Sequence, residues 1–245
     1  MENVKVVVGD LDRQNIFIEK YFRGSQEEEA LEQVLSPVLL QLKEQRIEYP
    51  VTVIYMKLRF CGYAYKLFEH ELGDLQYFPD GAQQIPKNRL FAQYHAPQTN
   101  QMKEEILAQL TSGESTIRVL FATVGIGMGV NIQSIRHIIH VGVPSSVRQY
   151  FQELGRCGRD GKPAKATLHY NNRDIAKNKV GLDPHMRAYC TSIGECLRKQ
   201  ILVFLDAPEA RPVLPAHQCC SECIKSCACP DCDLCRQAET LESVF

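Results

Sequence analysis

The sequence lacks a large net charge, a long apolar run and an apolar leader. Its 245 residues carry 28 Lys and Arg against 29 Asp and Glu, a net charge of −1, so any site for a polyanion must be a local groove. No apolar run is long enough to span a bilayer. Residues 1–5, Met-Glu-Asn-Val-Lys, lack the apolar core of a signal peptide. These absences predict an intracellular protein with no membrane partner.

Two motifs of nucleotide hydrolases are also absent from the sequence. No GxxxxGK(S/T) occurs, and the nearest match, from Gly155 to Lys162, is one residue too long and is followed by Pro163. The dipeptide Asp-Glu never occurs, so there is no DExH-type site for a metal and a water. Because a P-loop holds the phosphates and an acidic residue holds Mg²⁺, we expect no ATP hydrolysis by this chain alone.

Cysteine, in contrast, is abundant and concentrated in one region. Of 11 cysteines, nine lie between Cys190 and Cys235, and only Cys61 and Cys157 lie elsewhere. In an intracellular chain, clustered thiols indicate metal ligands before disulfides. C-x-x-C pairs let two thiolates reach one ion, and four sulfurs suit tetrahedral Zn²⁺. We expect a structural zinc site here, the alternative being a set of free, oxidisable surface thiols.

Alternating strand and helix patterns occupy the first 178 residues. Five short apolar runs predict strands, at 51–56, 90–95, 117–122, 137–141 and 166–170. Four stripes of apolar residues at helical spacing accompany these strands. The first is kinked at Pro37 and the second ends at Leu72. The third is capped by Thr99 and stops at Gly113, and the fourth begins with Ser146 and Gln149 as a capping box. The alternation predicts an α/β fold, a parallel sheet with helices on both faces.

The pattern changes after residue 178. Apolar residues from Met186 to Phe204 keep helical spacing and predict one long helix, followed by a proline-rich connector and the cysteine-rich tail. We therefore predict two domains, 1–178 and 179–245. The histidines His95, His137 and His140 lie beside apolar strands and are expected to be hydrogen-bonded core or edge residues rather than ligands.

Two segments have the chemistry of phosphate binding. Residues 150–160 place Arg156 and Arg159 among glycines, and planar guanidinium groups on a tight turn are what an arginine finger needs. The alternative is a surface ion-pair network. Residues 119–131 run from a buried strand into a loop with three alternate glycines, where backbone amides and the Thr123 hydroxyl can face a phosphate. The alternative is a tight turn without a ligand.

Both segments resemble motifs of the RecQ family of DNA helicases. Residues 150–160 closely resemble motif VI, and residues 119–131 resemble motif V, with Ile126 in place of the usual Phe. Residues 94–113 resemble the family's YHAG helix with Pro97 in place of Gly, and residues 51–56 are a loose motif IV. DEAD-box RNA helicases share GRxGR but usually carry His where Gln152 stands. The resemblance covers about residues 10 to 205.

The resemblance implies the second of two RecA-like domains, followed by a small helical, Cys-rich zinc-binding subdomain. ATP and Mg²⁺ would lie between this domain and a missing N-terminal helicase domain. Arg159 would be the arginine finger, Arg156 its phosphate or coupling partner, and Gln152 the link to the DNA side. The implied contacts to the DNA backbone are Thr123, Gly127, Gly129 and Asn131.

The implied activity is ATP-dependent 3′-to-5′ unwinding of single-stranded or forked DNA, in repair or recombination, with the nucleus favoured. Two other hypotheses stay open. The chain is a truncated, inactive module that binds nucleic acid or a partner through its zinc tail, or it is a zinc-binding interaction domain on a degenerate scaffold. The missing motifs favour the C-terminal half of a motor.

The resemblance also suggests zinc ligands, but not a unique set. One set that matches the family's tetrad is Cys196, Cys229, Cys232 and Cys235. A rival set combines Cys196, Cys220 and Cys223 with Cys219, His217 or Cys227, of which Cys219 is preferred. The remaining thiols leave room for a second ion.

Overall fold

The computed structural model describes residues 11–24, 27–123, 132, 134–207 and 210–232. Within these residues, six strands form a single sheet in the order β1-β6-β5-β2-β4-β3, and every neighbouring pair is parallel. The strands are β1 Ile16–Phe22, β2 Thr52–Tyr55, β3 Phe91–Tyr94, β4 Val119–Ala122, β5 His137–Val141 and β6 Ala164–Tyr170.

Six α-helices accompany the sheet in the part of the chain that the structure describes. They are α1 Glu27–Gln45, α2 Leu58–Leu72, α3 Asn100–Ser112, α4 Val147–Leu154, α5 Pro184–Thr191 and α6 Leu197–Phe204. Short 3₁₀ helices occur as well, two of them in the cysteine-rich tail at Ala216–Gln218 and Ile224–Ser226. None of the described helices combines the length and apolar character needed to cross a bilayer.

The helices cover both faces of the sheet. Along β2, Val53 and Tyr55 belong to one hydrophobic cluster, whereas Ile54 belongs to a second cluster on the opposite face. Helices α1 and α2 pack in the cluster of Ile54, and α3 to α6 pack in the other. The predicted α/β class, a parallel sheet between two helical layers, is confirmed.

The five predicted strands are present, but β1 was missed. A half-buried strand is recognised by apolar residues at its buried positions. In β1 one buried position is occupied by the polar Glu19, which accepts a hydrogen bond from Thr167 Oγ1 (2.8 Å), so the pattern is interrupted. Lys165 Nζ lies 2.7 Å from the same carboxylate. Tyr21 and Phe22 at the end of this edge strand are exposed, which weakens the apolar pattern further.

The predicted helix caps are largely confirmed. Thr99 accepts a hydrogen bond from the Met102 amide, and α3 ends at Gly113 with φ +79°. Ser146 caps α4 by accepting a hydrogen bond from the Gln149 amide (3.2 Å). In a capping box the Gln149 side chain would also accept a hydrogen bond from the Ser146 amide. Here it accepts from the amide and the hydroxyl of Ser145 instead. Pro37 lies inside α1.

The prediction of one long helix from Met186 to Phe204 is wrong. The chain breaks between α5 and α6, where Gly194 adopts φ +78°, a backbone conformation that a helix cannot contain. Ile193, counted in the apolar stripe, is 87% exposed. The break places Cys196 at the N-cap of α6. Both helices pack in the same cluster as the sheet, and the domain boundary at 178 stays a prediction.

Candidate functional site

The arginine-bearing turn joins α4 to β6 near the amino-terminal edge of the sheet. Gly158 adopts φ +58°, and its amide donates a hydrogen bond to the Ile135 carbonyl just before β5 (2.9 Å). Arg159 is exposed and Arg156 is half-buried, so neither side chain is enclosed in the core. Gln152, in the last turn of α4, is also exposed. The turn therefore presents Arg159 to the outside on a fixed backbone, with Arg156 partly accessible beside it.

Arg13, just before β1, holds this turn from the other end of the sequence. Its guanidinium donates hydrogen bonds to the carbonyls of Gly155 (3.3 Å), Cys157 (3.1 Å) and Gly158 (2.6 Å). Asn15 Nδ2 donates to the Gly158 carbonyl as well (2.8 Å). Sequence reasoning missed both residues, because nothing local to them signals contacts more than 140 positions away.

Replacing Gly158 with alanine is expected to destabilise the fold by about 3 kcal/mol. An added Cβ would lie 2.4 Å from Asn15 Nδ2 and 2.9 Å from the Lys162 carbonyl oxygen, and φ is positive there. Gly161→Ala is the matched control, because its φ is +79° but a Cβ would meet nothing within 4 Å. Urea unfolding of the two variants measures the difference. Equal losses of stability in Gly158→Ala and Gly161→Ala would show that the neighbouring atoms move away from the added Cβ at position 158 and that crowding contributes nothing.

Positive charge concentrates at this turn. Partial burial lowers the pKa of Arg159, and the neighbouring charges of Arg156 and Arg13 lower it further. Arg136 forms a salt bridge with Asp160 on the other side of the turn, and the hydrogen bond from Arg136 lowers the pKa of that carboxyl group. Because the guanidinium groups of Arg156 and Arg13 both lie within electrostatic range of Arg159, an anion is favoured beside Arg159.

A cleft of about 280 Å³ lies at the opposite, carboxyl-terminal edge of the sheet. Thr123 lines it directly after β4, together with Lys57 after β2 and Ser145 after β5. Lys179 also lines the cleft and lies close enough to Lys57 for the two charges to interact. The other predicted backbone contacts lie outside the described residues, namely Gly127, Gly129 and Asn131.

Helix α4 connects the cleft to the arginine turn. Ser145 Oγ donates to Gln149 Oε1 (2.6 Å), and Gln149 Nε2 donates to Glu153 Oε1 (3.0 Å). Glu153 Oε2 lies 2.8 Å from Nε2 of the buried His140, which stacks on Tyr55. The helix has eight residues, about 12 Å, and so spans the distance between the two edges of the sheet.

The other two singled-out histidines are also hydrogen-bonded. His137 Nε2 lies 2.7 Å from Thr167 Oγ1, and burial lowers the pKa of His137 to about 4. His95 Nε2 lies 2.8 Å from Gln93 Oε1. Neither belongs to the two groups of potential metal ligands found among the described residues.

One of those groups contains Cys196, Cys219, Cys220 and Cys223, with all four sulfurs within 4.8 Å of one another. The Sγ atoms of Cys196 and Cys219 are 3.6 Å apart, close to the edge of about 3.8 Å expected for a tetrahedron with Zn–S bonds of about 2.3 Å. The Cys223 amide lies 3.5 Å from Cys220 Sγ, and hydrogen bonds from Cys196 and Cys219 lower the pKa of the Cys220 thiol. The donor set suits a borderline-soft ion such as zinc.

The second group contains His217, Cys227, Cys229 and Cys232. It includes two members of the family-type tetrad, so Cys229 and Cys232 do not join Cys196 in the described structure, and Cys235 lies outside it. The tail is anchored to β1 at Ile18, whose carbonyl accepts from the Ser221 amide (2.9 Å). This anchor brings residues 219–223, rather than residues 229–232, to the start of α6.

Comparison with known proteins matches residues 67–161 to the helicase conserved C-terminal domain. The chain is similar to the ATP-dependent helicase wrn-1 of Caenorhabditis elegans, with 29% identity over 54% of this chain and 14% of that protein. It is also similar to the RecQ-like DNA helicase BLM of Xenopus laevis, with 28% identity over 62% of this chain and 12% of that protein. The match thus spans a small part of these relatives.

A solved structure of domain 2 of the DEAD-box helicase Mss116p bound to an RNA duplex covers 78% of this chain and 75% of that one. The sequence identity is 15% and the TM-score is 0.49. The sequence matches confirm the resemblance of this chain to RecQ-type helicases, and the matched helicase domain, residues 67–161, includes the arginine-bearing turn.

Proposed function

Because this chain carries a helicase conserved C-terminal domain homologous to that of RecQ-family DNA helicases, we propose that it works as the second RecA-like domain of an ATP-dependent 3′-to-5′ DNA helicase. The observation that carries the proposal is the exposed Arg159 beside Arg156 on a turn fixed by Arg13. Such a turn is suited to a nucleotide that another domain holds.

In this proposal the partner is an N-terminal helicase domain that binds ATP and Mg²⁺. The metal neutralises charge on the phosphates when it is bound there. Arg159 approaches the transferring phosphoryl group with its planar fork of N–H donors and stabilises the charge that develops in the transition state. Arg156 contacts a neighbouring phosphate oxygen. Arg13 keeps the turn in position through three carbonyl contacts.

We assign the cleft at the carboxyl-terminal edge to the DNA backbone. Thr123 supplies a hydroxyl and Lys57 and Lys179 supply positive charge, a combination that binds phosphates without reading sequence. Helix α4 would transmit the nucleotide state from the arginine turn to this cleft, with Gln152 as the exposed contact near the domain interface. We further propose a nuclear location and a role in DNA repair or recombination, as the family resemblance favours.

We further propose that Cys196, Cys219, Cys220 and Cys223 hold one structural Zn²⁺. Four sulfur ligands fill a tetrahedral shell and leave no position for a substrate or a catalytic water. The ion would join three elements: the N-terminus of α6 through Cys196, the tail through the other cysteines, and β1 through the backbone contacts of the tail. Its role is to fasten the tail to the sheet.

Replacing Lys57 with alanine is expected to weaken binding of single-stranded DNA and to reduce the slope of log affinity against log salt by about 1. The reason is the loss of one phosphate contact in the cleft. Fluorescence anisotropy with a labelled oligonucleotide at several salt concentrations measures this slope. Lys66→Ala is the control, because Lys66 is exposed on α2 and pairs with Glu69 (2.7 Å). Identical slopes for both variants would exclude the cleft as the DNA path.

A further inference from the structure

The group formed by His217, Cys227, Cys229 and Cys232 lies wholly within the tail. All four potential ligand atoms are within 4.8 Å of one another. His217 Nδ1 lies 3.2 Å from Cys229 Sγ, 3.3 Å from Cys232 Sγ and 3.7 Å from Cys227 Sγ. The three sulfurs therefore converge on a single ring nitrogen.

Hydrogen bonding does not account for this convergence. A neutral imidazole nitrogen carries either one proton or one lone pair, so Nδ1 cannot satisfy three thiols at once. A metal ion at the centre does account for it. With Zn–N of about 2.1 Å and Zn–S of about 2.3 Å, a tetrahedron has N···S edges of about 3.6 Å. The three measured distances, 3.2, 3.3 and 3.7 Å, lie around that value.

We propose that His217, Cys227, Cys229 and Cys232 form a second metal site, separate from the site at Cys196. Three thiolates and one imidazole select a borderline-soft divalent ion, and Zn²⁺ is the ion for which a tetrahedral Cys₃His set is a common structural arrangement. All four positions are filled by protein, so the site is structural rather than catalytic. The proposal does not depend on the helicase function.

The order of ligands along the chain gives this site a distinct role. His217 precedes Cys219, Cys220 and Cys223, and Cys227, Cys229 and Cys232 follow them. An ion bound at the second site therefore closes a loop from residue 217 to residue 232 around the tail ligands of the first site. Closing that loop restricts the freedom of residues 219–223 before they meet Cys196. The second ion thereby preorganises the first site.

Metal content of the purified 245-residue protein, by native mass spectrometry and elemental analysis, tests the proposal. We expect two zinc ions per chain, and one ion after the double change Cys229→Ser and Cys232→Ser. Cys61→Ala and Cys235→Ser are matched controls and should both retain two ions. One ion in the unaltered protein, two ions in the double variant, or loss of an ion in Cys235→Ser would each overturn the assignment.

X-ray absorption at the zinc edge keeps the test decisive if a variant folds poorly. Across two ions the unaltered protein should show seven sulfur ligands and one nitrogen ligand. His217→Cys should retain two ions and lose the nitrogen contribution. A sulfur-only spectrum before the substitution, or an unchanged nitrogen contribution after it, would contradict the role of His217.

Discussion

Replacing Arg159 with alanine is expected to reduce DNA-stimulated ATP hydrolysis about 10³- to 10⁵-fold when this chain is joined to a RecQ-type ATP-binding domain. In the proposed role the guanidinium stabilises charge that appears only in the transition state, so its removal should lower turnover rather than ATP affinity. Arg159 is exposed on a turn whose backbone is held by Arg13 and Asn15, so the substitution removes a functional group without disturbing the core. Steady-state turnover and nucleotide binding measure the two effects separately.

Arg148→Ala is the matched control for Arg159. It removes an exposed arginine from α4, seven residues before the turn begins at Gly155, and leaves the arginine turn unchanged. Arg159→Lys should not restore turnover, because a single ammonium group cannot reproduce the planar fork of a guanidinium. A loss of less than tenfold in Arg159→Ala, or equal losses in Arg148→Ala, would exclude Arg159 as the finger.

Removing the ion that we propose for the Cys196 group is expected to release the tail from the sheet. Structural zinc sites contribute about 10–16 kcal/mol of apparent binding energy, more than the tail's few contacts with β1 can replace. Chelation or Cys220→Ser should therefore abolish hydrogen-exchange protection of the Ser221 amide, which donates to the Ile18 carbonyl (2.9 Å). Amides of the central strands β2 and β5 should keep their protection, because both strands are paired on two sides.

Cys61→Ala serves as the control for general loss of a thiol, since Cys61 is buried in α2 and belongs to neither group. Its exchange pattern should match that of the unaltered protein. Unchanged protection of Ser221 after complete removal of metal would show that the tail needs no ion. Simultaneous loss of protection in β2 would show instead that the ion supports the whole fold.

The sheet was predictable where the apolar pattern was continuous. Strands β2, β4, β5 and β6 are buried at most positions and β3 at both of its ends, and five short runs located them. Strand β1 was not predicted, because its buried Glu19 is stabilised by Thr167 and Lys165 on a strand almost 150 residues away. The break between α5 and α6 was missed because the apolar spacing continues through Ser192–Cys196 although Gly194 has a positive φ.

The site was predictable to the extent that it is local. The arginine turn follows from one short segment, and the positive φ of Gly158 agrees with the glycine there. The support from Arg13 was not predictable, because it depends on the pairing of β1 with β6. Spacing alone also cannot divide eight closely spaced ligand candidates between two groups. That division depends on the contact between the tail and Ile18.

The central claim is that the turn carrying Arg156 and Arg159 completes an ATP site whose phosphate-binding part lies in another domain. ATP hydrolysis measured for the purified chain alone, and for the chain joined to a RecQ-type ATP-binding domain, tests it most directly. We predict no turnover by the chain alone, with or without DNA, and DNA-stimulated turnover by the joined protein. DNA-stimulated hydrolysis by the purified chain alone, or a joined protein that folds and binds ATP but stays inactive with DNA, would contradict the claim.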